Sequence, residues 1–111
     1  MATTVYKVLG QVAPATSATA VTLYTVPAST QTIVSTIAVA NRGAQVALFR
    51  IAIRPAGATL DPKHYLTYDS QVPANDSVMF TIGVTLATTD VITVQANTTT
   101  VSFSAFGSEI S

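Results

Sequence analysis

The sequence predicts an all-β fold: a two-sheet antiparallel sandwich, jelly-roll-like or immunoglobulin-like, of about eight strands. Three observations predict it. Thr is the commonest residue, followed by Ala and Val, and β-branched side chains suit a pleated, half-buried surface. Apolar and polar residues alternate along several segments, with no sustained 3.6-residue period to compete. Turn-forming residues recur every ~8–12 positions, the rhythm of a sandwich or barrel. At 111 residues, the chain fits one domain, residues 1–111, of a size that buries a core unaided. Cys is absent, so disulfides and thiolate metal sites are excluded.

The elements follow in order. Thr4–Leu9 reads as a first strand, stopped by Gly10, and the Ala/Thr/Ser/Pro-rich residues 11–19 as an irregular crossing. Ala20–Val26 is a second strand, ended by Pro27. Thr32–Ala40 alternates, with Ile33, Ser35, Ile37 and Val39 expected on one face and Val34, Thr36, Ala38 and Ala40 on the other. Both faces are largely apolar, so this strand is expected to be central. Asn41-Arg42-Gly43 reads as a hairpin loop, because Asn and Gly tolerate positive φ. The expected return strand is Gln45–Arg54, with Phe49, Ile51 and Ile53 toward the core.

Pro55-Ala56-Gly57 ends that strand, and Leu60–Lys63 is a loop with an Asp-Pro turn. His64–Tyr68 reads as a short strand and residues 72–76 as a turn. In Ser77–Ile82, Val78, Phe80 and Ile82 share a face; Gly83 is read as a break, and Val84–Leu86 as a short continuation. Asp90–Ala96 and Thr100–Phe106 read as a last hairpin around Asn97-Thr98.

Charge is the compositional outlier. Charged residues are 9% of the chain, against roughly 25% in an ordinary soluble domain. A chain of 11.5 kDa folds to a surface of roughly 5,800 Å², with five basic and five acidic residues to cover it. A standard interface removes about 800 Å² per partner. So little charge points to a surface partly hidden in an assembly. The basic residues are scattered and the net charge is zero, which argues against a nucleic-acid partner. No apolar run reaches the ~18 residues of a membrane helix. The N-terminal Met-Ala-Thr-Thr has no basic and then apolar leader pattern, so the expectation is a product assembled in a cytosol.

Candidate chemistry is sparse, and no catalytic, cofactor or metal residue is assigned. His64 is the one histidine. No G-x-S-x-G elbow accompanies it, and it is expected to begin an exposed strand. Asp61, Asp69, Asp76 and Asp90 lie at or beside expected turns, where local backbone hydrogen bonding favours Asp. Tyr6, Tyr24, Tyr65 and Tyr68 are candidates for a sugar-stacking platform. Strand parity, however, puts Tyr65 and Tyr68 on opposite faces. The candidate protein-interface residues are Arg50, Arg54 and Arg42. Arg50 and Arg54 share one strand face, where guanidinium forks grip a partner's carboxylates. Intrachain ion pairs to turn Asp residues are the alternative.

Several segments carry a resemblance: TVYKVLGQ at the start, LYTVP at Leu23–Pro27, IVSTIAVANRG, FRIAIRPAG, the PAND turn, TTDVITV, and FGSE at Phe106–Glu109. Together they resemble small virion structural proteins of tailed bacteriophages, and among them capsid decoration (cement) proteins. The resemblance spans nearly the whole chain but contains no catalytic or binding motif. It implies a homo-oligomer, dimer or trimer, on the capsid surface. There it would stabilise the shell by binding major capsid protein subunits, after assembly in the host cytoplasm. The alternative it implies is a tail, baseplate or fibre-associated β-domain that contacts a host glycan. Neither implies an enzyme, a cofactor, a nucleic acid or a membrane.

Overall fold

The computed structural model describes residues 3–111, apart from the side chain of Ile82. The expected placement of the Ile82 side chain on one face with Val78 and Phe80, and the first two residues of the chain, lie outside the described residues. Eight strands run in chain order: β1 Thr4–Val12, β2 Val21–Thr25, β3 Gln31–Asn41, β4 Ala47–Arg54, β5 Tyr65–Val72, β6 Ser77–Leu86, β7 Val91–Ala96 and β8 Val101–Ile110. Two single 3₁₀ turns, Pro55–Gly57 and Pro62–His64, lie between β4 and β5. No helix among the described residues is long and apolar enough to cross a membrane.

The strands form two four-stranded sheets. Sheet A has the order β1-β8-β3-β6 and sheet B the order β2-β7-β4-β5. All pairings are antiparallel. Four of them nest: β4 with β5, β3 with β6, β2 with β7, and β1 with β8. The chain is thus a long two-stranded ribbon, folded back between β4 and β5 and rolled so that successive pairs fall in alternate sheets. That is the jelly roll, not the immunoglobulin arrangement.

This topology corrects both expected hairpins. β3 and β4 lie in different sheets, as do β7 and β8. Asn41-Arg42-Gly43 is therefore a crossover between sheets, and neither Asn41 nor Gly43 has a positive φ. Gly43 is needed for space: a Cβ there would sit 2.7 Å from Thr100 Oγ1. Asn41 is buried and ties the crossover down. Its Nδ2 donates to the Gln45 and Val72 carbonyls, and its Oδ1 accepts from the Gly43 N–H and the Thr100 hydroxyl.

Bulges correct several other expectations. Gly10 does not end β1; it lies inside that strand beside a register shift. Gly83, with φ +58°, is a bulge within a continuous β6. Its positive φ, open to glycine, lets the strand kink and resume. A register shift opposite, between Val34 and Thr36, reverses the parity of β3. Val34 therefore joins Ile37 and Val39 in the core, and Ile33 faces outward with Thr36, Ala38 and Ala40. β3 is nevertheless central in its sheet, as its two apolar faces predict.

The core fills the space between the sheets. Phe49 of β4 is fully buried and meets Phe103 of β8 and Phe80 of β6 edge to face, at centroid distances of 6.3 and 5.6 Å. Ile37, Ile51, Leu86 and Ile92 surround them. Among the described residues, no buried side-chain polar atom lacks a hydrogen-bond partner.

Candidate functional site

The two outer faces of the sandwich differ in chemistry. On sheet A the outward residues can be read in rows across β1, β8, β3 and β6. One row is Tyr6, Ser108, Ile33 and Thr85; the next is Val8, Phe106, Thr36 and Thr81; a third is Gln11, Ser104, Ala38 and Met79. None of these is charged. Tyr6 is 85% exposed and Met79 63%, with Val8 and Ile33 also exposed. Lys7 and Glu109 belong to the same sheet, but they alternate to the inner side, where they pair at 3.2 Å. The remaining charged residues lie on sheet B or in the connections. Among the described residues, charge is therefore not merely scarce; it is absent from the outer face of sheet A.

The size of that face matters. Four strands about 4.8 Å apart and ten residues long, at about 3.3 Å each, project roughly 600 Å². Side-chain relief raises the accessible area toward the ~800 Å² that one partner contributes to a standard interface. Hydroxyls and alkyl groups are also cheaper to remove from water than charges.

Sheet B presents the opposite face, with an ordered polar cluster. Two register shifts in β5 govern it. Between Phe49 and Ile51 of β4 the β5 partners jump from Ser70 to Thr67, and between Ile51 and Ala52 from Thr67 to Tyr65. Tyr68 and Asp69 thus both lie opposite Arg50. Asp69, with φ 55°, occupies the left-handed position, which Asp tolerates better than most residues. Arg50 Nε donates to Asp69 Oδ1 at 2.7 Å and Nη2 to Oδ2 at 3.3 Å. Its guanidinium carbon lies 3.8 Å from the Tyr68 ring centroid. These bonds hold the Asp69 carboxyl below the usual carboxylate range and the Arg50 guanidinium above its own ordinary value.

The same shifts overturn the parity argument for the tyrosines. Tyr65 and Tyr68 stand on one side, edge to face, with centroids 4.9 Å apart and ring planes at 85°. Neither belongs to the core cluster. They wall a cleft of about 400 Å³ with Leu60, Asp61 and Pro62.

The three candidate arginines are separated in role. Arg50 takes the intrachain ion pair. Arg54 donates through Nε to Thr93 Oγ1 at 2.9 Å and through Nη1 to the Gly57 and Ala58 carbonyls, bracing the first 3₁₀ turn. Arg42 lies at the β3–β4 crossover, its Nη2 donating to the Thr99 carbonyl. His64 is buried, not at the start of an exposed strand as expected. Its Nδ1 accepts from the Asp61 N–H at 3.1 Å, and the Asp61 side chain accepts from the Lys63 N–H. It caps the turn that shapes one wall of the cleft. Among the described residues, no three His, Asp or Glu side chains converge.

Sequence reasoning missed Tyr6, Val8, Ile33 and Met79 as one surface, because β1, β3 and β6 are brought together only by β8 and by non-local pairing. The local signal for the other face was the Tyr-Asp-Ser run at 68–70, with an Asp able to adopt positive φ inside a strand.

No family model and no curated protein sequence matches the chain. Among solved structures, it is similar to a chain in a structure of infectious bursal disease virus, Gx strain, at 13% sequence identity and a TM-score of 0.49. That match covers 99% of this chain and 32% of the other, so this chain spans about a third of its neighbour's length.

Proposed function

We propose that the chain is a structural protein of a virion, and that it decorates and stabilises a tailed-phage capsid by binding major capsid protein subunits. The observation that carries this reading is the uncharged outer face of sheet A. An exposed sheet face with Tyr6, Val8, Ile33 and Met79, ringed by hydroxyls and without charge among the described residues, suits burial against another protein. Its extent fits one side of a standard interface. The resemblance of the segments to phage virion proteins supplies the setting. The jelly roll is used in viral capsid domains, although a fold alone does not assign a role. The reading is of a binding protein, not an enzyme. Many copies on one lattice turn modest individual contacts into firm attachment.

The test uses purified particles that carry the chain. Immunogold labelling is expected over the shell; label confined to the tail would replace the capsid reading with the tail or baseplate alternative. Particles stripped of the protein are expected to lose their genome at a lower temperature than intact ones. Equal heat resistance would refute the stabilising role.

A further inference from the structure

The cleft on sheet B stands on the side of the sandwich opposite the uncharged face, and the docking role leaves it unused. Its two ring walls are held in place. Tyr68 is pinned beneath the Arg50 guanidinium, Arg50 is itself fixed by two bonds to Asp69, and Tyr65 meets Tyr68 edge to face. Tyr68 is 57% exposed all the same. Rigid aromatics that pack no core, lining a concavity, lose little freedom on binding.

From this geometry we infer that the cleft between Tyr65, Tyr68, Leu60, Asp61 and Pro62 binds a neutral hexopyranosyl unit of a glycan. A pyranose has a face of C–H groups and a rim of hydroxyl donors. Two ring planes at 85° form a corner that meets both the face and the edge of such a ring. The rim of the cleft supplies an acceptor. Asp61 is exposed, its Oδ1 takes one long bond from the Lys63 N–H at 3.3 Å, and its Oδ2 takes none among the described residues. A carboxylate accepts only, so it selects a hydroxyl-bearing ligand over a proline-rich peptide, whose backbone offers mainly acceptors. The Arg50 charge is already neutralised by Asp69, so nothing on the rim favours an acidic sugar.

The inference does not depend on the capsid reading and is tested on the isolated chain. Amide and tyrosine ring signals are followed by NMR during titration with the methyl glycosides of glucose, galactose, mannose and N-acetylglucosamine, and separately with a polyproline peptide. At least one glycoside is expected to give saturable shifts confined to residues 60–68. Tyr68→Ala is expected to weaken that binding by roughly tenfold or more, and Asp61→Asn to weaken it with both rings in place. Val46→Ser, at an exposed site remote from the cleft, is expected to leave it unchanged. Saturable shifts with polyproline and none with any glycoside would make the cleft a peptide groove and overturn the inference. So would the absence of saturable shifts with every probe, or glycoside shifts that persist in both cleft variants.

Discussion

Tyr24 of β2 donates its hydroxyl hydrogen to Glu109 Oε2 of β8 at 2.5 Å, joining sheet B to sheet A at one end of the sandwich. The same hydroxyl lies 2.8 Å from Thr32 Oγ1 of β3. An ionised Glu109 can only accept, and Tyr24 has one proton. Thr32 must therefore donate to Tyr24. Lys7 of β1 completes the chain at 3.2 Å from Glu109 Oε1.

This network predicts losses of stability at both ends of the pH scale. The Tyr24 hydrogen bond, with help from Lys7, holds the Glu109 carboxyl below its ordinary value of 4.5. The unfolded chain then takes up the proton first, so Glu109 stabilises the fold above about pH 4.5, and that contribution fades as pH falls through the depressed native value. Burial, reinforced by Glu109, pushes the Tyr24 phenol up from 10.0 to about 12. Its contribution is complete below pH 10 and is lost as pH rises toward 12. Denaturant titrations across pH should show both limbs. Tyr24→Phe should flatten the alkaline limb and weaken the acid one; an alkaline limb of unchanged steepness in that variant would count against the assignment.

Phe49→Ala is expected to cost about 3–5 kcal/mol, because a fully buried ring leaves a cavity that its two edge-on partners cannot fill. Arg50→Ala removes an ion pair whose side chains are 25% and 44% exposed, and solvent screens such pairs. Thermal unfolding should therefore fall much further for the Phe49 variant. Comparable losses would mean that the Arg50–Asp69–Tyr68 cluster is part of what holds the sandwich together.

Asn41→Ala should also be costly, although the residue is polar and ends a strand. Its side chain serves four backbone and hydroxyl partners at the β3–β4 crossover. Truncation leaves buried groups such as the Val72 carbonyl unpaired, at about 1–3 kcal/mol for each. Chemical denaturation would measure it; a loss within the ~0.5 kcal/mol usual for exposed substitutions would show that water replaces the side chain freely.

Asn41 also marks where the sequence stopped being legible. That β3 is a strand, and central, follows from apolar residues on both its faces. That it does not pair with β4 cannot be read locally, since an Asn-Arg-Gly run serves a hairpin and a crossover equally well. Only β4 and β5 pair as chain neighbours; every other partner is set by the rolling of the ribbon. Parity was legible up to each bulge and inverted beyond it. Strict alternation thus groups Ile33 with Ile37 and separates Tyr65 from Tyr68, and the bulges undo both. The scarcity of charge was visible in the composition, but its absence from one face required the strand order.

That face gives the sharpest prediction about assembly. Met79 is exposed on edge strand β6, beside Ala38 and clear of the core. Met79→Asp should leave the stability of the isolated chain within about 0.5 kcal/mol, as exposed substitutions usually do. On docking, the new carboxylate would be stripped of water with no opposite charge on its own face. Burial of an unpaired charge costs at least about 3 kcal/mol, or on the order of a hundredfold in affinity. Particle occupancy should fall accordingly while thermal unfolding of the free protein does not move. Because the face carries no ions, raising the salt concentration should not release the native protein from particles, since there is little charge to screen. Release by salt, or full occupancy by the Met79→Asp variant, would transfer the proposed docking role to the charged face of sheet B, which carries Arg50 and Arg54.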